Sequence, residues 1–376
     1  MSGGGRKIRV LVVDDSVVMR RVLSEVVTSD PELEVAGYAA NGQIALSLLD
    51  QVSPDVVTLD IEMPVMDGLA TLKALRARRC TLPVIMFSTL TERGAEATID
   101  SLALGASDYV AKPTELGSYN AARERIREAL IPKIKALCWN KTRSNIAPSV
   151  GSKPAQRRNI VPRRIDVVAI GCSTGGPNAL AQVLPAIPRD FPVPILIVQH
   201  MPPAFTRFLA QRLNSLCALP VDEAGEAGRL EPGRIWIAPG GFHLVVTRAG
   251  APPTLAITQE PPENSCRPSV DVLFRSLAPV FTSHVLAVVL TGMGQDGLRG
   301  CEILAEAGAQ ILVQDEATSV VWGMPGFVAK ANLADAILPL TNIGAGIVER
   351  VTAFRSVSSF MRPSGGCSRQ AVRAIP

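Results

Sequence analysis

Along residues 1–138, short apolar runs alternate with longer amphipathic stretches. The runs are Ile8–Val13, Val56–Leu59, Val84–Phe87 and Tyr109–Val110. Continuous apolar runs are what strands buried on both faces require, and strand–helix alternation predicts a parallel sheet covered by helices. The alternation stops at residues 139–164, which hold Pro148, Pro154 and Pro162 among glycine and serine clusters and read as a linker. It resumes over residues 165–355. There the strand candidates are Ile165–Ile170, Pro194–Gln199, Arg234–Ile237, His243–Val246, Val285–Leu290 and Gln310–Val313. Helix starts are expected near Pro177, Pro203, Ser269, Gly297 and Asn342; the two prolines suit a first helical turn, where a missing N–H costs nothing. Residues 356–376 carry arginines and no acid and read as a disordered tail.

Composition narrows the class. With 47% apolar and 19% charged residues, the chain is built to fold compactly. No apolar run approaches the roughly 18–20 residues that span a bilayer, and the run after the polar N-terminus is too brief for a signal peptide, so a cytoplasmic protein without membrane insertion is expected. The seven cysteines show no C-x-x-C spacing, which predicts free thiols and no structural zinc. The net charge of +4 raises the question of nucleic acid. Seven basic residues and no acid lie between 140 and 164, and without them the chain stands at −3. The basic excess belongs to the linker, so no nucleic-acid partner is expected.

Three carboxylates stand at strand ends in the first half: Asp14 and Asp15 after Val10–Val13, and Asp60 after Val56–Leu59. Strand ends of a parallel sheet open onto one crevice, where clustered carboxylates favour a hard cation such as Mg²⁺. Ser88 and Lys112 also follow apolar runs and could contact a phosphate. Taken alone, Asp14-Asp15-Ser16 could simply cap the next helix. The motifs Val12–Ser16, Asp60-Ile61-Glu62-Met63-Pro64 through Gly68, and Ala111-Lys112-Pro113 together resemble a response-regulator receiver domain over residues 6–125. The resemblance implies a flavodoxin-like fold of five parallel strands and phosphorylation of Asp60 by a histidine kinase. It also implies Mg²⁺ held by Asp14, Asp15, Asp60 and the main-chain carbonyl of Glu62, with Ser88, Tyr109 and Lys112 as switch residues.

In the second half, Ser173 lies in Gly171-Cys172-Ser173-Thr174-Gly175-Gly176-Pro177, between a strand and a helix. Three readings fit this loop: a nucleophile elbow, a degenerate phosphate loop, or a turn with a capping serine. Of three histidines, His200 ends a strand, His243 lies inside one and suits a structural role, and His284 begins one at the opposite edge. Asp296 follows the most apolar strand, where it could also serve as an N-cap. A serine needs a base, and an imidazole needs a carboxylate to hold its tautomer, so three strand-end residues of these types point to a Ser–His–Asp hydrolase. The chain order Ser…His…Asp excludes the α/β-hydrolase superfamily, where the histidine comes last.

The segments Gly171–Gly176, Gln199–Pro203, Arg267–Asp271 and Leu290–Gly297 resemble the catalytic domain of chemotaxis protein-glutamate methylesterases over residues 165–355. The resemblance implies a doubly wound, mostly parallel α/β domain and assigns the triad to Ser173, His200 and Asp296. Thr174 and the N–H of Met293 would be further site groups, the latter for the oxyanion. Cys172 and Gln295 depart from the family pattern, where alanine and asparagine are usual. The implied substrates are glutamyl methyl esters of chemoreceptors, with deamidation of receptor glutamines by the same acyl chemistry and no cofactor for hydrolysis. The expected control is a receiver that covers the crevice until Asp60 is phosphorylated.

Overall fold

The computed structural model of the chain describes residues 6–113, 119–143, 163–248 and 252–360, with backbone alone for 139–143, Ala227 and 355–360. The first unit runs β1 (Ile8–Val13), α1 (Val17–Thr28), β2 (Leu33–Ala39), α2 (Gly42–Val52), β3 (Val56–Asp60), α3 (Gly68–Ala77), β4 (Val84–Ser88), α4 (Glu92–Ala103), β5 (Asp108–Ala111) and α5 (Tyr119–Arg143). Its sheet has the order β2-β1-β3-β4-β5 and every pairing is parallel. Along β1, Val10 and Val12 pack toward α1 and α5, while Leu11 and Val13 pack on the other face, so both faces are covered.

The second unit runs β6 (Val167–Cys172), α6 (Gly176–Val183), β7 (Ile195–Gln199), α7 (Phe205–Leu216), β8 (Val221–Glu223), β9 (Ala227–Arg229), β10 (Ile235–Ile237) and β11 (His243–Thr247). It continues with β12 (Thr254–Thr258), α8 (Val270–Phe281), β13 (Val285–Val289), α9 (Leu298–Glu306), β14 (Gln310–Gln314), α10 (Met324–Lys330), β15 (Ala336–Leu338) and α11 (Leu340–Phe360). Seven strands form a parallel sheet, β15-β14-β13-β6-β7-β10-β8, and β11-β12-β9 form a small antiparallel sheet beside it. All of β13 is buried, which is why Val285–Val289 is the most apolar strand.

Each parallel sheet winds in two directions from an inner strand. The reversal lies between β1 and β3 in the first unit and between β6 and β13 in the second. A crevice opens beyond the carboxyl ends of strands at such a reversal. Asp14 and Asp15 follow β1 and Asp60 ends β3; Ser173 follows β6 and Asp296 comes after β13.

Several elements differ from the sequence reading. β2 is an edge strand whose partly exposed residues, with Glu34 and Gly37 among them, make no continuous apolar run. The strands β8, β9 and β15 are too short to show a period. Pro203 stands ahead of α7, because Ala204 has φ +69° and cannot be helical, so the helix starts at Phe205. α5 stays helical through Arg143, into the first positions of the stretch read as linker; residues 144–162 of that stretch lie outside the described residues. Similarly α11 reaches Phe360, and the rest of the supposed tail lies outside them. Among the described residues, no helix is long and apolar enough to cross a membrane.

Candidate active site

Ser173 begins the tight turn from β6 into α6. Its N–H donates to the Thr291 carbonyl (3.1 Å), and its own carbonyl accepts from the Gly176 N–H (2.8 Å) and from Gln199 Nε2 (3.0 Å). The turn needs its glycines: Gly175 has φ +77°, and a Cβ on Gly176 would lie 2.0 Å from Gln199 Oε1. Among the described residues, nothing hydrogen-bonds the Ser173 hydroxyl, which sits at the partly exposed rim of the crevice. Cys172 points into the core; burial pushes its thiol well above its ordinary pKa, and it donates to Gln199 Oε1 (3.1 Å).

His200 sits beside this turn, its N–H bonded to the Cys172 carbonyl (3.2 Å). Its Nε2 lies 2.7 Å from Asp296 Oδ2, with both side chains largely buried. Asp296 does not cap its own helix in the simple way expected of an isolated Asp. Its oxygens accept from Ser269 Oγ (2.8 Å) and from the N–H groups of Val270 (2.7 Å), Asp271 (3.0 Å) and Gly297 (3.1 Å). Two of these donors open α8, so the positive end of that helix faces the carboxylate. Burial would raise the Asp296 pKa, but His200 and the N–H donors outweigh it and hold the group well below the usual carboxylate range. Burial likewise works against a charged His200, yet the bond to Asp296, with Cys266 adding to it, pushes the imidazole up to about 9.

With Nε2 turned to Asp296, Nδ1 is the nitrogen left for a serine proton. Nδ1 instead faces Cys266 Sγ at 3.5 Å, and no hydrogen bond joins it to Ser173. The structure therefore joins imidazole and carboxylate and puts Ser173 on the adjoining loop, its hydroxyl unpaired among the described residues. Catalytic hydrogen bonds are often loose before substrate binds. The Thr291–Gly294 loop packs tightly on the serine turn: a Cβ on Gly292 would lie 3.0 Å from Ser173 Cβ. Met293 is next along that loop, half-buried, and Gln295 is exposed. His243 is buried and structural: its Nδ1 accepts from the Ser269 N–H (3.2 Å) and its Nε2 donates to the Pro261 carbonyl (3.2 Å). His284 is half-exposed beside Asp166 at the far end of the sheet.

In the first unit, the carboxylate oxygens of Asp14, Asp15 and Asp60 lie within 4.8 Å of one another. Ser16, not either aspartate, caps α1. Lys112 Nζ stands 2.8 Å from Asp60 and 3.1 Å from Asp14 Oδ2. That Asp14 oxygen is buried, with the Lys112 ammonium beside it. Three carboxylates converging this closely, with one ammonium between two of them, fit a hard divalent cation of the Mg²⁺ class. Burial pushes the Asp60 carboxyl up to about 6 against the pull of Lys112. Ser88 and Glu62 line the same cleft, but the Ser88 hydroxyl donates away from it, to the Gly94 carbonyl (2.8 Å).

The two units meet beside Ser173. Asp108 Oδ2 accepts from Thr174 Oγ1 (2.7 Å), next to Ser173, and from Lys133 Nζ (2.6 Å). Tyr109 stacks on Phe205 with ring centres 5.0 Å apart and planes 12° apart. Asn178 Nδ2 reaches the Ala106 carbonyl (3.4 Å), and Arg207 pairs with Glu92 at the rim (2.6 Å). Tyr109 is thus buried against the second unit. Sequence reasoning named the residues at the strand ends but not Gln199, Ser269, Asn264 and Cys266, which hold them; only the motif positions of Gln199 and Ser269 gave any signal.

A five-stranded acid-cleft domain docked on a parallel α/β domain with a buried His–Asp pair defines a response regulator with an enzymatic output. Residues 10–122 match the response regulator receiver domain, and residues 168–347 match the CheB methylesterase family. A protein-glutamate methylesterase/protein-glutamine glutaminase of Trichodesmium erythraeum is 52% identical over 92% of this chain and 99% of its own length. One of the same description from a Nocardioides species is 49% identical over 93% and 96%. The chain belongs to the protein-glutamate methylesterase/protein-glutamine glutaminase family of chemotaxis adaptation enzymes.

Proposed function

We propose that the chain removes methyl groups from glutamyl esters of chemoreceptors with Ser173 as nucleophile, His200 as base and Asp296 as the group that holds and stabilises the imidazolium. The observation that carries this reading is the buried 2.7 Å His200–Asp296 pair beside an unpartnered serine hydroxyl. In the productive arrangement Nδ1 of His200 leaves Cys266 and takes the Ser173 proton as Oγ attacks the ester carbonyl. The Met293 N–H and Thr174 receive the oxyanion, and the positive end of α6 favours it. Collapse expels methanol, protonated by His200, and leaves an acyl-serine. Water, deprotonated by His200, then restores Ser173 and releases the glutamate. A glutamine side chain follows the same course with ammonia as the leaving group.

Asp60 is the proposed phosphoacceptor from a histidine kinase, with residues 139–164 as the tether between the two domains, 1–138 and 165–355. Asp14, Asp15, Asp60 and the Glu62 carbonyl would hold Mg²⁺, which when bound would offset phosphoryl charge. Lys112 neutralises Asp60 at rest and is placed to meet a phosphoryl oxygen, as is Ser88 once it leaves Gly94. The docked state is the resting one. Asp108 occupies the hydroxyl of Thr174, one of the two groups proposed to receive the oxyanion. Phosphorylation draws Ser88 and Lys112 toward Asp60, shifts α4 and β5, and loosens this face.

The test is methanol release from methylated receptor by the full-length chain, with and without a small phosphodonor. Activation of about tenfold or more is expected, and none in Asp60→Asn; equal activation in both would end the control scheme. Asp108→Asn weakens a charge-assisted hydrogen bond of about 1.5–3 kcal/mol to Thr174. The rate without phosphodonor should therefore rise about tenfold, and the remaining activation should shrink in proportion. An unchanged basal rate would mean that Asp108 does not restrain the site.

A further inference from the structure

The segment Glu263–Cys266 is a two-residue hairpin turn. Glu263 and Cys266 exchange both backbone hydrogen bonds, at 3.1 and 2.9 Å, and Asn264 and Ser265 have φ of +52° and +61°. Positive φ at both central positions is the type I′ geometry, usual for Asn followed by Gly. Serine at the second position is strained, because in the left-handed region its Cβ crowds the following carbonyl. The turn is held in place nonetheless: Arg275 grips Glu263 with both guanidinium nitrogens, at 3.0 and 2.7 Å.

This clamped, strained turn touches both buried members of the site. Asn264 Nδ2 donates to Asp296 Oδ1 (3.0 Å) and to Asp271 Oδ2 (2.8 Å). Cys266 Sγ lies against the other side of the His200 ring. Asp296 and Asp271 are both almost fully buried, and two neighbouring carboxylates repel. The second oxygen of Asp271 accepts from the Gly300 N–H (2.6 Å). An amide NH₂ has two hydrogens and can give one to each carboxylate, which neither a hydroxyl nor a carboxylate can do. Burial, with the Asp296 charge adding to it, pushes Asp271 up to about 6. Asn264 is itself exposed, so its amide fills no space in the core.

We infer that the Glu263–Cys266 turn is a positioning element of the active site and that Asn264 is its positioning residue, fixing the Asp296 carboxylate on His200 by bridging it to Asp271. This rests on the triad reading above and adds a residue to it. Asn264 touches no substrate; it acts through Asp296, by setting the direction and the charge that the imidazole sees.

The experiment measures kcat and KM for methanol release, across pH, in the phosphodonor-activated full-length protein. Asn264→Gly keeps a residue at ease with positive φ and removes the side chain with its amide while the main-chain pairing of Glu263 and Cys266 stays, so folding should be retained. It should lower kcat about tenfold with KM within twofold. Asn264→Asp keeps the size and adds a negative charge beside Asp296, which favours the imidazolium. The acid limb of its kcat/KM profile should move up by about one pH unit. A purely structural role for the turn would shift thermal stability but leave that limb in place. The inference is overturned if Asn264→Gly keeps kcat within twofold of wild type, or if the Asn264→Asp profile superimposes on wild type. Failure of the triad reading itself would be seen separately, as hydrolysis surviving in Ser173→Ala.

Discussion

Ser173→Ala is expected to lower kcat for methyl-ester hydrolysis by about 10⁴-fold or more while leaving stability within about 0.5 kcal/mol of wild type. The two halves of this expectation come from the same geometry. The hydroxyl has no hydrogen-bond partner among the described residues, so removing it leaves no donor or acceptor unsatisfied. The turn is held through the main chain instead, by Thr291, Gly176 and Gln199. Alanine keeps the Cβ that packs beneath the Thr291–Gly294 loop. The loss of rate follows because the other hydroxyl on that turn, that of Thr174, is assigned to the oxyanion and not to attack on the carbonyl. Methanol release under phosphodonor and a urea titration on the same preparation measure both halves. Hydrolysis surviving at more than a hundredth of wild type would remove Ser173 from the chemistry. A large loss of stability would show that the hydroxyl has a structural partner in solution.

The parts of this molecule that were legible from its sequence share one physical cause. Strands buried on both faces must be apolar without interruption, and in a parallel sheet their carboxyl ends must carry the crevice. Asp14, Asp60, Ser173 and His200 could therefore be found by looking just past Val13, Leu59, Cys172 and Gln199. Asp296 was found the same way, past Leu290. What could not be read was the support. Asp296 takes its hydrogen bonds from Ser269 and the first turn of α8, more than twenty residues away, and no local pattern announces such a bond. Asn264 and Cys266 sit on a strained turn in a polar stretch, where periodicity carries no information. The edge strand β2 and the short strands β8, β9 and β15 were hidden for a related reason, since a half-exposed or very short strand has no clear apolar run. The docking face was equally silent. Tyr109 is a buried aromatic whichever surface covers it, and only coordinates pair it with Phe205.

Asp296→Asn should be more damaging to the fold than Ser173→Ala and nearly as damaging to activity. The carboxylate accepts from Ser269 Oγ, three main-chain N–H groups, Asn264 and His200. An amide offers one oxygen to these donors and turns its own N–H₂ toward the rest, so at least one buried donor loses its partner. A loss of about 2–4 kcal/mol is expected from unsatisfied buried groups formerly bonded to a charge. The rate should fall about 10³–10⁴-fold, because an amide NH₂ facing Nε2 forces the imidazole into the wrong tautomer. The pH dependence of stability gives the sharper reading. In wild type the folded His200 is held at about 9, above the ~6.5 of an unfolded histidine. The folded state then binds the extra proton between those values, so the stabilisation is complete below about 6.5 and is lost as pH rises through about 9. The full span corresponds to roughly 3 kcal/mol at 1.36 kcal/mol per pH unit. In Asp296→Asn the partner charge is gone, burial is opposed only by Cys266, and this decline between pH 6.5 and 9 should shrink sharply. Urea denaturation of both proteins across that range measures it. Parallel curves for wild type and variant would mean that Asp296 does not hold the charge of His200.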